Sequence, residues 1–146
     1  MHNQRIHTVI LTLLLLLPAL SGCRKSNDEE RINILIISGK NNHEWQKTTP
    51  LLVMMYKDTG LFKVSVSDNP DTLTYNTLKD YDVLVSNRNS WPDTSFRMSG
   101  EWEKEFLNYV RKGGGIVFFH AGASSFYGWN EYHQMGIGRW GKDTNH

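Results

Sequence analysis

Apolar residues come in four short runs, with amphipathic stretches between them. Ile32 to Ser38 is β-branched and apolar and ends at Gly39, the signature of a central strand buried on both faces. Leu51, Leu52, Met54 and Met55 then give a helix its apolar face. Pro50 sits in the first turn of that helix, Thr48 or Thr49 caps it, and Gly60 closes it. Phe62, Val64 and Val66 alternate with Lys63, Ser65 and Ser67, a strand with one polar face that belongs near a sheet edge. Asp68 to Asp71 reads as a turn, Leu73 to Lys79 as a short helix and Tyr81 to Ser86 as a third strand. Ser99 is the expected N-cap of the next helix, with Glu101 and Glu103 at the positive end of its dipole. Trp102, Phe106, Tyr109 and Val110 form one buried stripe, and Gly113 ends the helix. Ile116 to Phe119 is the fourth strand.

Strands alternating with helices predict an α/β fold with a mostly parallel sheet. Neither a further strand nor a closing helix follows residue 119 before the sequence stops at His146. Doubly wound sheets usually carry five or more strands, so the pattern predicts a domain truncated after the fourth strand. A complete four-stranded minimal domain is the other reading.

Residues 1–22 are excluded from this pattern. Arg5 forms a positive n-region and Val9 to Leu17 an apolar core, too short to span a bilayer as a helix. Leu20-Ser21-Gly22-Cys23 has the form of a lipobox, which predicts lipidation of Cys23 and a bacterial cell-envelope location, anchored to the membrane through the lipid. An ordinary secretory signal with an incidental cysteine is the alternative. Residues 23–31 are charged and poor in apolar side chains, the composition of a flexible tether. Cys23 is the only cysteine, so no intrachain disulfide forms and no thiol remains for catalysis or metal binding. The formal charge is +1 and falls to near zero once Arg5 is removed. Without a basic stripe, nucleic-acid binding has little support.

Ligands of open α/β sheets bind outside the carboxyl ends of the strands. Three predicted loops meet there. The first carries His43, Glu44 and Trp45, the third-strand loop Asn87, Arg88, Asn89 and Trp91, and the fourth His120, Ser124 and Ser125. His120 reads as a general acid or base, as a zinc ligand with His43 and His146, or as a structural residue at a strand end. Glu44 and Asn87 are candidate substrate contacts, as is Ser124, which is a nucleophile only with a base beside it. Trp91, Trp129 and Trp140 offer stacking faces for sugars, or packing surfaces. Tyr127, Tyr132 and His133 line a pocket or fill a core.

These motifs together resemble the trehalose-utilisation (ThuA-like) family. The resemblance rests on Ile34 to Gly39 with His43 and Trp45, Tyr81 to Val85, Phe106 to Gly115, His120-Ala121-Gly122, Trp129-x-Glu131-Tyr132, and Gly138-x-Trp140 with His146. It covers residues 32–146, and it implies the N-terminal part of a larger domain. The family is similar in fold to class I glutamine amidotransferases, so the resemblance implies a flavodoxin-like three-layer sandwich. Those enzymes hold a nucleophilic cysteine at a Gly-x-Cys-x-Gly elbow. Here Phe118-Phe119-His120-Ala121-Gly122 stands in its place, with histidine for cysteine, which excludes thiolate-dependent glutamine hydrolysis. The resemblance implies a role in carbohydrate catabolism on a glycoside or an oxidised sugar, by a hydrolase or isomerase. His120 and His43 would then be catalytic, a divalent metal such as zinc a candidate cofactor, and a small carbohydrate the substrate. The alternatives are a non-catalytic sugar-binding or accessory lipoprotein, and an inactive fragment.

Overall fold

The computed structural model describes residues 31–136 and 138. The signal segment, Cys23, nearly all of the tether, Trp140 and His146 lie outside the described residues. Four strands form one sheet: β1 (Ile32–Ile37), β2 (Phe62–Ser67), β3 (Val83–Ser86) and β4 (Gly115–Phe118). All pairings are parallel and the order is β2-β1-β3-β4. The helices are α1 (Trp45–Asp58), α2 (Tyr75–Leu78), α3 (Gly100–Arg111) and α4 (Asn130–Met135). The order reverses direction between β1 and β3, the switch point at which flavodoxin-like sheets bind ligands.

Alternation along β1 sorts its side chains between two cores. Ile34 and Ile36 join Val85 and Leu52 on one face, with Val53, Tyr56 and Phe62 packed around them. Leu35 and Ile37 join Leu84, Leu78, Trp102, Phe106, Tyr109, Phe126, Trp129 and Tyr132 on the other. The sheet is therefore a middle layer between α1 and the group α2, α3 and α4. The edge position expected for the second strand is observed.

Helix α3 follows its sequence signals. Ser99 Oγ accepts from the amide of Trp102 at 3.2 Å, and Trp102, Phe106 and Tyr109 are buried. Gly113 takes φ +98° past the helix end, where its amide donates to Val110 and that of Gly114 to Tyr109. Only a residue without Cβ adopts that conformation cheaply.

Helix α1 departs from expectation in start and in phase. It begins at Trp45, with the Glu44 carbonyl accepting from the amides of Lys47 and Thr48, so Pro50 lies inside the helix rather than in its first turn. The carbonyl that Pro50 cannot serve is that of Gln46, an exposed residue that water can reach. Thr49 is not a cap. Its hydroxyl is buried, 2.6 Å from Ser38 Oγ and 3.0 Å from the Asn87 Nδ2 that donates to it. That docking fixes the rotation of the helix, and Leu52 and Tyr56 follow on the same face. Leu51, Met54 and Met55, expected to be buried, are instead exposed.

Candidate active site

Three connections leave the carboxyl ends of the strands and converge. The β1 loop brings His43 and the β4 connection brings His120. Their ring centroids stand 4.6 Å apart, tilted by 38°, and both residues are exposed. The topology predicted that these loops would share an edge; the structure brings the two imidazoles into contact.

Each histidine is held by its backbone. The amide of His43 donates to Asn41 Oδ1 at 3.0 Å, and Asn41 Nδ2 donates to the Asn87 carbonyl, so the first loop is tied to the third-strand loop. His120 opens a 3₁₀ turn (His120–Ser124) with φ +47°, a left-handed conformation uncommon outside glycine. Such strain persists where surrounding contacts over-determine it, and it concentrates at functional sites. Two of those contacts are clear. The amide of Phe119 donates to Ser86, and the amide of Gly122 to Phe119. A Cβ on Gly122 would lie 2.0 Å from the Ser86 carbonyl oxygen, so only glycine lets the turn settle onto the end of β3.

Beneath the turn lies a buried polar layer. The buried Tyr132 phenol donates to the Gly122 carbonyl at 2.7 Å, and the Ser86 hydroxyl donates to the phenol oxygen at 2.7 Å. Burial pushes this phenol's pKa well above its ordinary value, against the opposing bonds from Ser86 and Ser125, so Tyr132 stays a neutral donor. Ser125 Oγ donates to the Arg88 carbonyl. The Arg88 guanidinium donates to the Ser38 carbonyl at 2.8 Å and lies 5.8 Å from the Phe96 ring, which Lys40 also approaches. Burial lowers the pKa of Arg88 while Asp71 and Asp68 raise it; the group remains charged.

The other sequence candidates separate into distinct environments. Glu44 pairs with Lys47 at 2.7 Å, both side chains largely in water. Asn87 is buried and donates to Thr49 and Thr48, so it anchors α1 to β3 rather than meeting a substrate. Ser124 is buried within the 3₁₀ turn, which removes it as an exposed nucleophile or substrate contact. Trp129 is 1% exposed and packs on Trp102, Phe106, Phe126 and Tyr132. It is a core residue and presents no stacking face. Its burial follows from α3, whose Trp102 and Phe106 need an aromatic lid. Trp91 is 49% exposed, with its ring 6.1 Å from that of Tyr127. Tyr132 and His133 are buried. No group of three metal-ligating side chains occurs among the described residues. A zinc ion would find only His43 and His120 of the three predicted ligands among the described residues; His146 lies outside the description.

Sequence reasoning placed Asn89 on the third-strand loop without giving it a role and singled out no role for Asn41; these two side chains stitch the loops together. The available signal was the clustering of short amides directly after strands, Asn41-Asn42 and Asn87-x-Asn89, because such side chains reach neighbouring backbone groups.

A family described as Trehalose utilisation, ThuA, matches residues 33–146. The chain belongs to the ThuA family. A ThuA-like protein from Parabacteroides merdae is 31% identical with a TM-score of 0.57, over 71% of this chain and 37% of that one. A ThuA-like protein from Bacteroides uniformis, at 22% identity and a TM-score of 0.55, shares the fold over 71% of this chain and 42% of its own. The chain thus spans about two fifths of these ThuA-like structures. No curated protein matches it.

Proposed function

We propose that this ThuA-family chain acts in carbohydrate catabolism as a hydrolase- or isomerase-like enzyme on a glycoside or oxidised sugar, with His43 and His120 as its acid–base pair. The contact between the two imidazoles at the switch-point edge carries the reading. Imidazole is the side chain suited to exchange protons near neutrality. Two of them in contact can divide the work, one donating to a leaving or carbonyl oxygen while the other accepts. The lipobox at Leu20 to Cys23 supports attachment to the bacterial envelope through lipid on Cys23. The lone cysteine at that position leaves the elbow to His120 and removes thiolate chemistry.

The test is turnover of a panel of disaccharides, trehalose first, and their oxidised derivatives by the full chain. His120→Asn tolerates the left-handed backbone but lacks the imidazole. It is expected to lower turnover by about 10²- to 10⁴-fold, with a melting temperature near that of the parent because residue 120 is exposed. His43→Ala should behave alike. Undiminished turnover in both variants overturns the proposal. The exposed Trp91 beside Tyr127 favours one second reading, a sugar-binding accessory protein. Glycan binding that survives loss of both histidines would select it.

A further inference from the structure

Asn89 is 2% exposed and bonds to all three loops of the candidate site. Its backbone amide donates to the Lys40 carbonyl in the β1 loop at 2.9 Å. Its Oδ1 accepts from the amide of Trp91 at 2.6 Å, within its own loop. Its Nδ2 donates to the carbonyl of Ala121 at 2.5 Å, in the residue that follows His120. One buried amide thereby satisfies a donor on one side and an acceptor on the other, as an amide can and a carboxylate or hydroxyl cannot with the same reach.

Its placement matters because of what each loop carries. The peptide joining Ala121 to Gly122 is the second after the left-handed His120, and the Asn89 bond fixes the direction of its carbonyl. Lys40 begins the loop that ends in His43. The two imidazoles come from chain segments 77 positions apart in sequence numbering, and β1 and β4 are not neighbours in the sheet. Loop-to-loop bonds must therefore set their separation. Asn41 supplies one, from the β1 loop to the β3 loop. Asn89 supplies a link onward to the β4 turn at the residue after His120, beside the bond from Ser125 to Arg88 at the far end of that turn.

We infer that Asn89 is a positioning residue that holds His120 against His43 and so sets the geometry of the acid–base pair. The inference rests on the reading of those histidines as the reacting pair, but its structural half stands without it. Asn89 also holds the backbone of Trp91, but it reaches the histidine pair through the Ala121 carbonyl.

Two variants of the full chain test it. Asn89→Asp keeps the shape and the acceptor for the Trp91 amide but loses the donor to Ala121. Asn89→Ala loses both. Ring-to-ring contact between His43 and His120 is read by nuclear Overhauser effects between the imidazole protons, and the Trp91 bond by hydrogen exchange of its amide. The expected result is loss of the imidazole contact in both variants and loss of Trp91 amide protection in Asn89→Ala alone. Where the parent turns over a sugar, kcat should fall about 10²-fold with little change in KM, since misplacement by about 1 Å has that effect. Retention of the imidazole contact in Asn89→Asp overturns the inference whatever the turnover. Global unfolding of both variants also overturns it, because Asn89 belongs to neither apolar core and a loop bridge should leave the sheet intact. Loss of the contact in the variants of a parent that turns over no sugar would uphold the positioning role and sink the proposed enzyme instead.

Discussion

The two faces of the sheet are built from different materials. The face under α1 is aliphatic, with Ile34, Ile36, Val85 and Leu52 as its buried residues. The face under α2, α3 and α4 is aromatic, with Trp102, Phe106, Phe126, Trp129 and Tyr132 in mutual ring contact. The aromatic face also reaches the site, because Tyr132 rises from it to bond Ser86 and the Gly122 carbonyl under the His120 turn. The aliphatic face meets the site through hydroxyls and an amide, in the Ser38–Thr49–Asn87 cluster. One face therefore couples bulk stability to the placement of His120. The other couples the docking of a helix to the loop before it.

The comparison breaks most visibly if the aromatic face proves dispensable. Trp129→Ala removes a side chain with four ring partners, and is expected to destabilise the fold by about 3–5 kcal/mol. Leu52→Ala on the opposite face should lose less, because a smaller side chain leaves a smaller cavity. Urea unfolding of both variants measures the difference, and an equal or larger loss for Leu52→Ala would refute the asymmetry.

Alkali sharpens the same contrast at a smaller scale. Burial raises the Tyr109 phenol from 10.0 to about 12, Asp82 adds to the rise, and the bond to Gly115 opposes it. Tyr132 is shifted in the same direction. A phenol raised in the folded state favours folding fully below the unfolded value. From pH 10 upward the unfolded chain ionises first, and stability falls until the folded phenol also ionises near 12. The expected slope is on the order of 1 kcal/mol per pH unit for each such phenol. Tyr109→Phe should flatten the decline in that window; an unchanged slope would show that this phenol does not contribute.

Much of this architecture was legible because local and global signals agreed. Ser99, the acidic first turn, the aromatic stripe and Gly113 each specify α3, and the β-branched runs specify the strands. The family's motifs lie on those same elements. Helix α1 was misread because its apolar residues outnumber the positions that face the sheet. The choice among them was made by Thr49, a polar residue whose buried bonds to Ser38 and Asn87 no periodicity reveals. Trp129 shows the same blindness from the other side. A tryptophan in an aromatic-rich loop is a stacking surface or a core residue according to what lies across from it, and Trp102 and Phe106 come from a different element. At the site, topology was enough to place His43 and His120 on one edge. Their contact depends on Asn41 and Asn89; the clustered short amides were visible in the sequence, but the backbone groups they reach were not.

The smallest effect is expected where the sequence was most misleading. Leu51 and Met54 project from α1 away from the sheet, 57% and 53% exposed. Lysine has nearly the helix propensity of leucine and methionine, and an exposed position has little burial to lose. Leu51→Lys and Met54→Lys, singly or together, should each shift stability by no more than about 0.5 kcal/mol and leave the His43–His120 contact in place. Leu52→Lys, one residue along the helix at 4% exposure, should instead unfold the aliphatic face, because burying an unpaired charge there has no compensating partner. A loss above about 1 kcal/mol from the Leu51 and Met54 substitutions, well outside the surface range, would show that in the full chain this outer face is covered, and that α1 is apolar on two sides because it is buried on two sides.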